Sequence, residues 1–165
     1  MKSLLVLTIA ALAISQAGCV TMRVDLVKQW KPPAGVNLAP VNNVHVGPTL
    51  LAREETIKDS GSVFIYPTGE LFGLVFTGPQ ESAGKIELIE ANCDRTILDR
   101  WPLFSQSKII YTASFSFEYR GRRQVLSATG IGTTVGNGPK AVREATEKLI
   151  ASLAGQVRTI IADLP

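Results

Sequence analysis

Cys19, Cys93 and His45 are the residues of this 165-residue chain with the most intrinsic reactivity, two thiols and a single imidazole. A thiol can be a nucleophile, a metal ligand or half of a disulfide, and a histidine can serve as its base. His45 stands between Val44 and Val46, pointing away from both, as a surface residue on a strand does. Nothing in the sequence around Cys93 or His45 forms a nucleophile motif, and the inventory is too small for a His/Cys metal cluster. No metal and no cofactor is expected. Asp94 with Asp99, and Glu87 with Glu90, have the types that acid–base catalysis needs, yet each pair reads equally well as solvated carboxylates on a loop or edge strand. Gly130-Ile131-Gly132 and Gly136-Asn137-Gly138 occupy the strand-to-helix position of a phosphate loop. The dinucleotide fingerprint requires G-x-G-x-x-G, whereas residue 135 is Val, and no Gly-Lys-Ser/Thr follows. These glycines read as packing and turn residues. A chain without a recognisable catalytic constellation is expected not to be an enzyme.

Cys19 differs from the rest through what precedes it. Lys2 is followed by Leu4 to Ile14, apolar except for Thr8, and then by the small or polar residues Ser15 to Gly18. That apolar run is far shorter than the roughly 20 residues a spanning helix needs. A charged start, a short apolar core and small residues at its end describe an export signal, the competing reading being a membrane anchor left uncleaved. Ala17-Gly18-Cys19 resembles the bacterial lipobox, with Gln16 standing where Leu is usual. The resemblance implies removal of residues 1–18 and acylation, palmitate among the chains, of Cys19 as the first mature residue. By the lipoprotein-sorting rule, Val20 rather than Asp after the Cys implies the outer membrane of a Gram-negative cell, periplasmic face. Ser15-Gln16-Ala17 offers an ordinary signal-peptidase site after Ala17 instead. Acylation of Cys19 leaves Cys93 a lone thiol, read as buried and inert. Without acylation a Cys19–Cys93 disulfide is open in an oxidising compartment.

The signal carries one cation, so 17 basic residues become 16 against 14 acidic, a net charge near +2. That bias is too weak to argue for a nucleic-acid partner. Residues 19–40 read as a tether, because Pro32-Pro33, Gly35 and Pro40 fit neither a helix interior nor a central strand. Val24, Leu26, Val27 and Trp30 are its apolar content, expected to pack on the domain. Residues 41–165 then form one domain.

The domain is expected to be α+β: a small antiparallel sheet that includes a C-terminal hairpin, packed by one long C-terminal helix. Val41–Val46 is a first strand, and Arg53–Asp59 a loop or short helix. Val63–Tyr66 and Glu70–Thr77 are hairpin arms around Pro67-Thr68-Gly69, and Lys85–Glu90 is a strand. Ile109, Tyr111, Ala113, Phe115, Phe117 and Tyr119 alternate with polar residues, so 109–119 is a half-buried strand. A two-residue turn at Arg120-Gly121 sets Leu126 opposite Phe115, Gly130 opposite Tyr111, Gly132 opposite Ile109 and Glu118 opposite Arg123. After Pro139 a stripe of Val142, Ala145, Leu149, Leu153, Val157, Ile160 and Leu164 predicts a helix, with Arg143–Glu147 and Glu144–Lys148 as outward i,i+4 pairs. Gly155 marks a close contact or bend, and Gly130 and Gly132 a flat strip for the helix.

The surfaces expected to meet partners are Leu71–Phe76, the far end of the last helix, and the cationic tip Arg120, Arg122 and Arg123, with Arg95 and Arg100 in the loop before the hairpin. The order of lipidated Cys, Pro-rich segment, strands, hairpin and helix, with Ser127-Ala128-Thr129-Gly130-Ile131-Gly132 before an Ala-rich helix, resembles small envelope lipoproteins. These include lipopolysaccharide-assembly lipoproteins and lipoprotein activators of peptidoglycan synthases. The resemblance covers about the last third of the chain, and a helix expected between the first strands is not visible in the sequence. It implies a non-enzymatic accessory or assembly factor with an envelope protein partner. The alternative is a module that binds an envelope glycolipid or peptidoglycan fragment through the basic tip.

Overall fold

The computed structural model describes residues 20–28, 37–59, 62–100, 105–135 and 138–164. The expectations for Cys19, Trp30, Pro32-Pro33, Gly35 and Gly136-Asn137 lie outside these residues. In chain order the elements are β1 (Val20–Arg23), β2 (Val44–Val46), α1 (Pro48–Leu51), β3 (Glu55–Asp59), β4 (Ser62–Tyr66), α2 (Thr68–Val75), β5 (Gly84–Arg100), β6 (Ser105–Tyr119), β7 (Arg122–Val135) and α3 (Pro139–Asp163). The class is α+β, with two sheets, β1-β4-β3 and β2-β5-β6-β7, and the long C-terminal helix packed on the strands.

The β6–β7 hairpin follows from a residue-level match of turn and pattern. Arg120 and Gly121 both have positive φ, 48° and 75°, the geometry that joins twisted antiparallel strands through two residues. From there the register runs unbroken and pairs Phe115 with Leu126, Tyr111 with Gly130, Ile109 with Gly132 and Glu118 with Arg123. On β6, Ile109, Tyr111, Ala113, Phe115, Phe117 and Tyr119 are all buried. A shift of one residue would turn that whole set outward.

Helix α3 begins at Pro139 after Gly138, whose φ of 85° lies in the left-handed region. Its stripe from Ala141 to Val157 is buried, and Ile160, Ile161 and Leu164 are partly buried against the core. The final turns pack beside the segment before β2, where Arg158 donates to the Ala39 carbonyl. Gly130 and Gly132 let the helix backbone come down on β7, and a Cβ added at 130 would stand 1.7 Å from the Ala145 carbonyl oxygen. Gly155 marks no close contact, since a Cβ there would meet nothing within 4 Å.

Before the β6–β7 hairpin the chain departs from expectation in several places. Glu55–Asp59 is a strand, β3, not a loop or short helix. Glu55 and Ile57 are buried while Thr56 and Lys58 are exposed, a period of two that a charged residue in a buried slot conceals. Thr68–Val75 is helix α2, not the second arm of a hairpin. Its buried residues Thr68, Leu71, Phe72 and Val75 recur at helical spacing, and Gly69 packs so closely that an added Cβ would lie 2.3 Å from the Leu50 and Leu51 carbonyl oxygens. Helix α2 is thus a helix among the first strands that the sequence pattern did not show.

Strand β5 continues to Arg100, well past Glu90, and its register with β6 shifts between Leu88 and Glu90 and between Ile97 and Asp99. An extra residue at each site breaks the apparent alternation, so the far half looks like loop. Arg95 and Arg100 are strand residues as a result. Finally, Val20–Arg23 is paired backbone, parallel to β4, and Leu26 is buried with Val24 and Val27 packed beside it. The segment read as a tether therefore gives its first residues to the fold. At Val41 the backbone forms an isolated bridge to Phe76, and β2 itself covers only Val44–Val46, parallel to the start of β5.

Candidate functional site

Three surfaces were expected to meet partners, and three pairs of reactive residues had no support in the sequence as catalytic pairs. Leu71–Phe76 is not a surface: Leu71, Phe72, Val75 and Phe76 are core residues, and only Leu74 among the large apolar ones is exposed. Phe72 meets Phe115 of β6 with ring centroids 5.7 Å apart, so α2 is fastened to the hairpin through its aromatic side chain. The end of α3 bounds an open groove of about 380 Å³ with Pro40, Val41, Asn42 and Asn43. The arginines 120, 122 and 123 do share an exposed tip. Arg120 lies over the Tyr119 ring at 5.5 Å, and Arg123 Nε donates to Ser116 Oγ at 2.7 Å. Arg95 stands apart from them, its guanidinium donating to the buried Ser107 Oγ at 3.1 and 3.2 Å.

The Cys93–His45 pair is not assembled. His45 is in register with Lys85, and Cys93 lies eight residues further along β5, about 26 Å at the usual strand rise. Cys93 is half-buried and free, and burial, with Glu55 and Asp94 adding to it, pushes its thiol up to about 12. A thiol that stays protonated at neutral pH is a poor nucleophile. Glu87 is taken by Lys85 at 2.7 Å, Glu90 accepts from Ser114 at 3.2 Å, and Asp94 accepts from Asn92 at 2.7 Å. Among the described residues no group of three His, Cys, Asp or Glu could hold a metal ion.

A polar cluster at the seam between the two sheets leaves no sign in the sequence. Arg53 Nε donates to Glu55 Oε1 at 2.7 Å, and its Nη2 reaches Glu55 Oε2 at 3.3 Å and the Ala91 carbonyl at 3.4 Å. Thr68 Oγ1, at the start of α2, lies 3.4 Å from both the Arg53 carbonyl and the Tyr111 hydroxyl. Burial, then the Glu55 charge, holds the Tyr111 phenol well above its ordinary range, and the Glu55 hydrogen bond raises the Arg53 guanidinium. The cluster keeps a neutral phenol beside the Arg53–Glu55 pair, and it ties β3, α2, β5 and β6 together. Arg53-Glu54-Glu55 reads in sequence as a charged surface run, and nothing distinguishes the exposed Glu54 from the buried Glu55.

A second buried charge lies on α3. Glu147, expected outside, is 2% exposed, and Arg143 Nε stands 3.6 Å from its Oε1, beyond hydrogen-bonding distance. Desolvation pushes this carboxyl up to about 7 against the pull of Arg143, with Glu144 adding to the rise. The folded state thus holds a proton that the unfolded chain releases near 4.5, so stability falls as pH rises from about 4.5 through 7. Glu147→Gln is expected to flatten that slope and to stabilise the protein by about 2 kcal/mol at pH 8, with little effect at pH 4. Urea denaturation at both pH values measures it, and equal effects at the two would contradict the buried-carboxyl account.

No helix of the described residues is long and apolar enough to cross a membrane. No protein-family model matches the chain, and a search of curated proteins finds no match. Among solved structures, the chain is similar to rare lipoprotein B from Shewanella oneidensis, at 14% identity and a TM-score of 0.34, over 52% of this chain and 74% of that one. It is also similar to a minor lipoprotein from Acinetobacter baumannii, at 17% identity and a TM-score of 0.30, over 58% of this chain and 77% of that one. Both overlaps are partial, spanning little more than half of this chain.

Proposed function

We propose that this chain is an exported lipoprotein, held in the outer membrane by acyl groups on Cys19 and facing the periplasm. There it serves as a non-enzymatic accessory or assembly factor of the cell envelope, through contacts with a protein partner. The observation that carries the reading is the run from Lys2 through the short apolar core to Ala17-Gly18-Cys19. The fold adds a physical consequence. Cys19 immediately precedes β1, which is paired with β4, so acylation would hold the small sheet close to the bilayer and not on a long leash. Val20 and Met22, 56% and 41% exposed, would then lie at that surface.

A second reading is favoured by the exposed cluster at the hairpin tip. Arg120, Arg122 and Arg123 suit phosphates of an envelope glycolipid. Charge reversal at Arg122 and Arg123 would abolish glycolipid retention on that reading and leave lipidation untouched.

The test of the main reading is the intact mass of the full chain extracted from membranes. Acyl mass on a chain that starts at Cys19 is the expected result, with Cys19→Ala leaving the membrane fraction. An unacylated chain starting at Gly18 would overturn it. A turnover lost in Cys93→Ser would overturn the non-enzymatic part.

A further inference from the structure

Strand β7 is the edge of the four-stranded sheet and runs for 14 residues. A two-residue turn makes Tyr119 and Arg122 a hydrogen-bonded pair, and the pairing then alternates along the ladder. Even-numbered residues of β7 bond to β6, and odd-numbered ones turn their N–H and C=O groups outward. The side chains of α3 confirm this direction, because they cap the outward groups. Glu144 accepts from the Thr133 amide at 3.4 Å, Lys148 donates to the Ile131 carbonyl at 3.0 Å, and Gln156 Nε2 donates to the Ser127 carbonyl at 3.0 Å. The helix descends antiparallel to the strand, and these three residues form a row of long polar side chains beside it.

The row has gaps. Between Lys148 and Gln156 the same helix face carries Ser152, where the strand presents Thr129. Beyond Gln156 it carries Thr159, whose hydroxyl donates to the Gly155 carbonyl, where the strand presents Val125. Both side chains are too short to reach across. Among the described residues the outward amides of Val125, Ser127 and Thr129 consequently have no partner, and Val125 is 68% exposed. An edge of this length is ordinarily covered, bulged or kept short. Here the covering ends at Ser127, and the strand runs on uncapped to Arg123 and Arg122 at the tip.

We infer that the outward edge of β7 from Arg123 to Thr129 is a docking edge for an extended, acidic segment of a partner protein, which adds to the sheet as a further strand. Backbone pairing supplies the affinity, as in strand addition generally. The arginines at the tip select for carboxylates and speed encounter. This deepens the protein-contact reading proposed above and rests on it, while its test is independent of whether Cys19 is acylated.

The experiment uses the full chain in detergent micelles and an eight-residue capped peptide of alternating Val and Glu, with titration calorimetry. Saturable binding is expected, weakened at least tenfold when alternate peptide amides are N-methylated. Val125→Pro removes one outward amide without touching the β6 ladder and is expected to weaken binding at least fivefold, its fold checked by circular dichroism. Gln156→Ala frees the Ser127 carbonyl and is expected to strengthen binding several-fold. Thr159→Lys is the discriminating variant: it extends the capping row and adds a positive charge. Strand addition predicts weaker binding to Thr159→Lys, and mere charge attraction predicts tighter. Tighter binding there, equal binding of the N-methylated peptide, or no saturable binding at all would overturn the proposal. Self-association of the peptide-free chain that is lost in Val125→Pro would also overturn it, and would assign the edge to a second copy.

Discussion

Alanine at position 130 is expected to cost about 4 kcal/mol or more of stability, a loss at the upper end of what single substitutions produce. The added Cβ would stand 1.7 Å from the Ala145 carbonyl oxygen and 2.7 Å from the Leu149 amide nitrogen. Both are backbone atoms in the middle of a helix, so no side-chain rotation relieves the clash. The helix must move off the sheet, and with it go the contacts of Ala141, Ala145 and Leu149, all fully buried. Gly132 makes the same demand one pleat along, where a Cβ would lie 1.9 Å from the Ala141 carbonyl oxygen. Gly155→Ala is the paired control. That glycine sits inside the same helix with open space around it, so alanine is expected to gain about 1 kcal/mol through helix propensity alone. Urea denaturation followed by circular dichroism compares the two, and a Gly130→Ala protein as stable as the parent would refute close packing of α3 on β7.

Phe72→Ala is expected to cost about 3–5 kcal/mol, the range for deleting a fully buried aromatic side chain. Phe72 has no exposed surface, and its ring meets that of Phe115, which is equally buried. Leu74, two residues away on the same helix, is 37% exposed, and Leu74→Ala is expected to change stability by no more than about 0.5 kcal/mol. The contrast separates two readings of the Leu71–Phe76 segment. If this segment were a docking strand, both substitutions would leave stability nearly unchanged and would weaken partner binding instead. Equal, small effects on the denaturation midpoint would therefore contradict the helix and restore the surface.

The seam cluster and Glu147 show why buried charge escapes a reading by residue type. Glu55 lies beside Glu54 in one charged run, and the fold buries the first while leaving the second in contact with Arg23 at the surface. Burial of Glu55 is tolerated because Arg53 meets both its oxygens. Glu147 has Arg143 3.6 Å away without a hydrogen bond, and desolvation pushes its carboxyl up instead. Either outcome depends on groups brought in from other elements, and no local spacing encodes it.

By itself the sequence determined the parts of this protein whose partners are near in the chain. The β6–β7 register follows from a two-residue turn and an alternating pattern that tolerate only one alignment. The α3 stripe follows from helical spacing behind Pro139, and Gly130 and Gly132 were legible as a strip for that helix because the pattern opposes them to Tyr111 and Ile109. Only the tertiary structure decided the rest. Short apolar runs such as 71–76 satisfy a strand and a helix equally well, and the choice falls to whether Leu71, Phe72 and Val75 can reach Phe115 and the core together. The far half of β5 needed two register shifts against β6, and Val20–Arg23 needed β4, more than forty residues on, before either became a strand. Long-range pairing of this kind is enforced by burial and backbone hydrogen bonding across elements, which a local pattern does not carry.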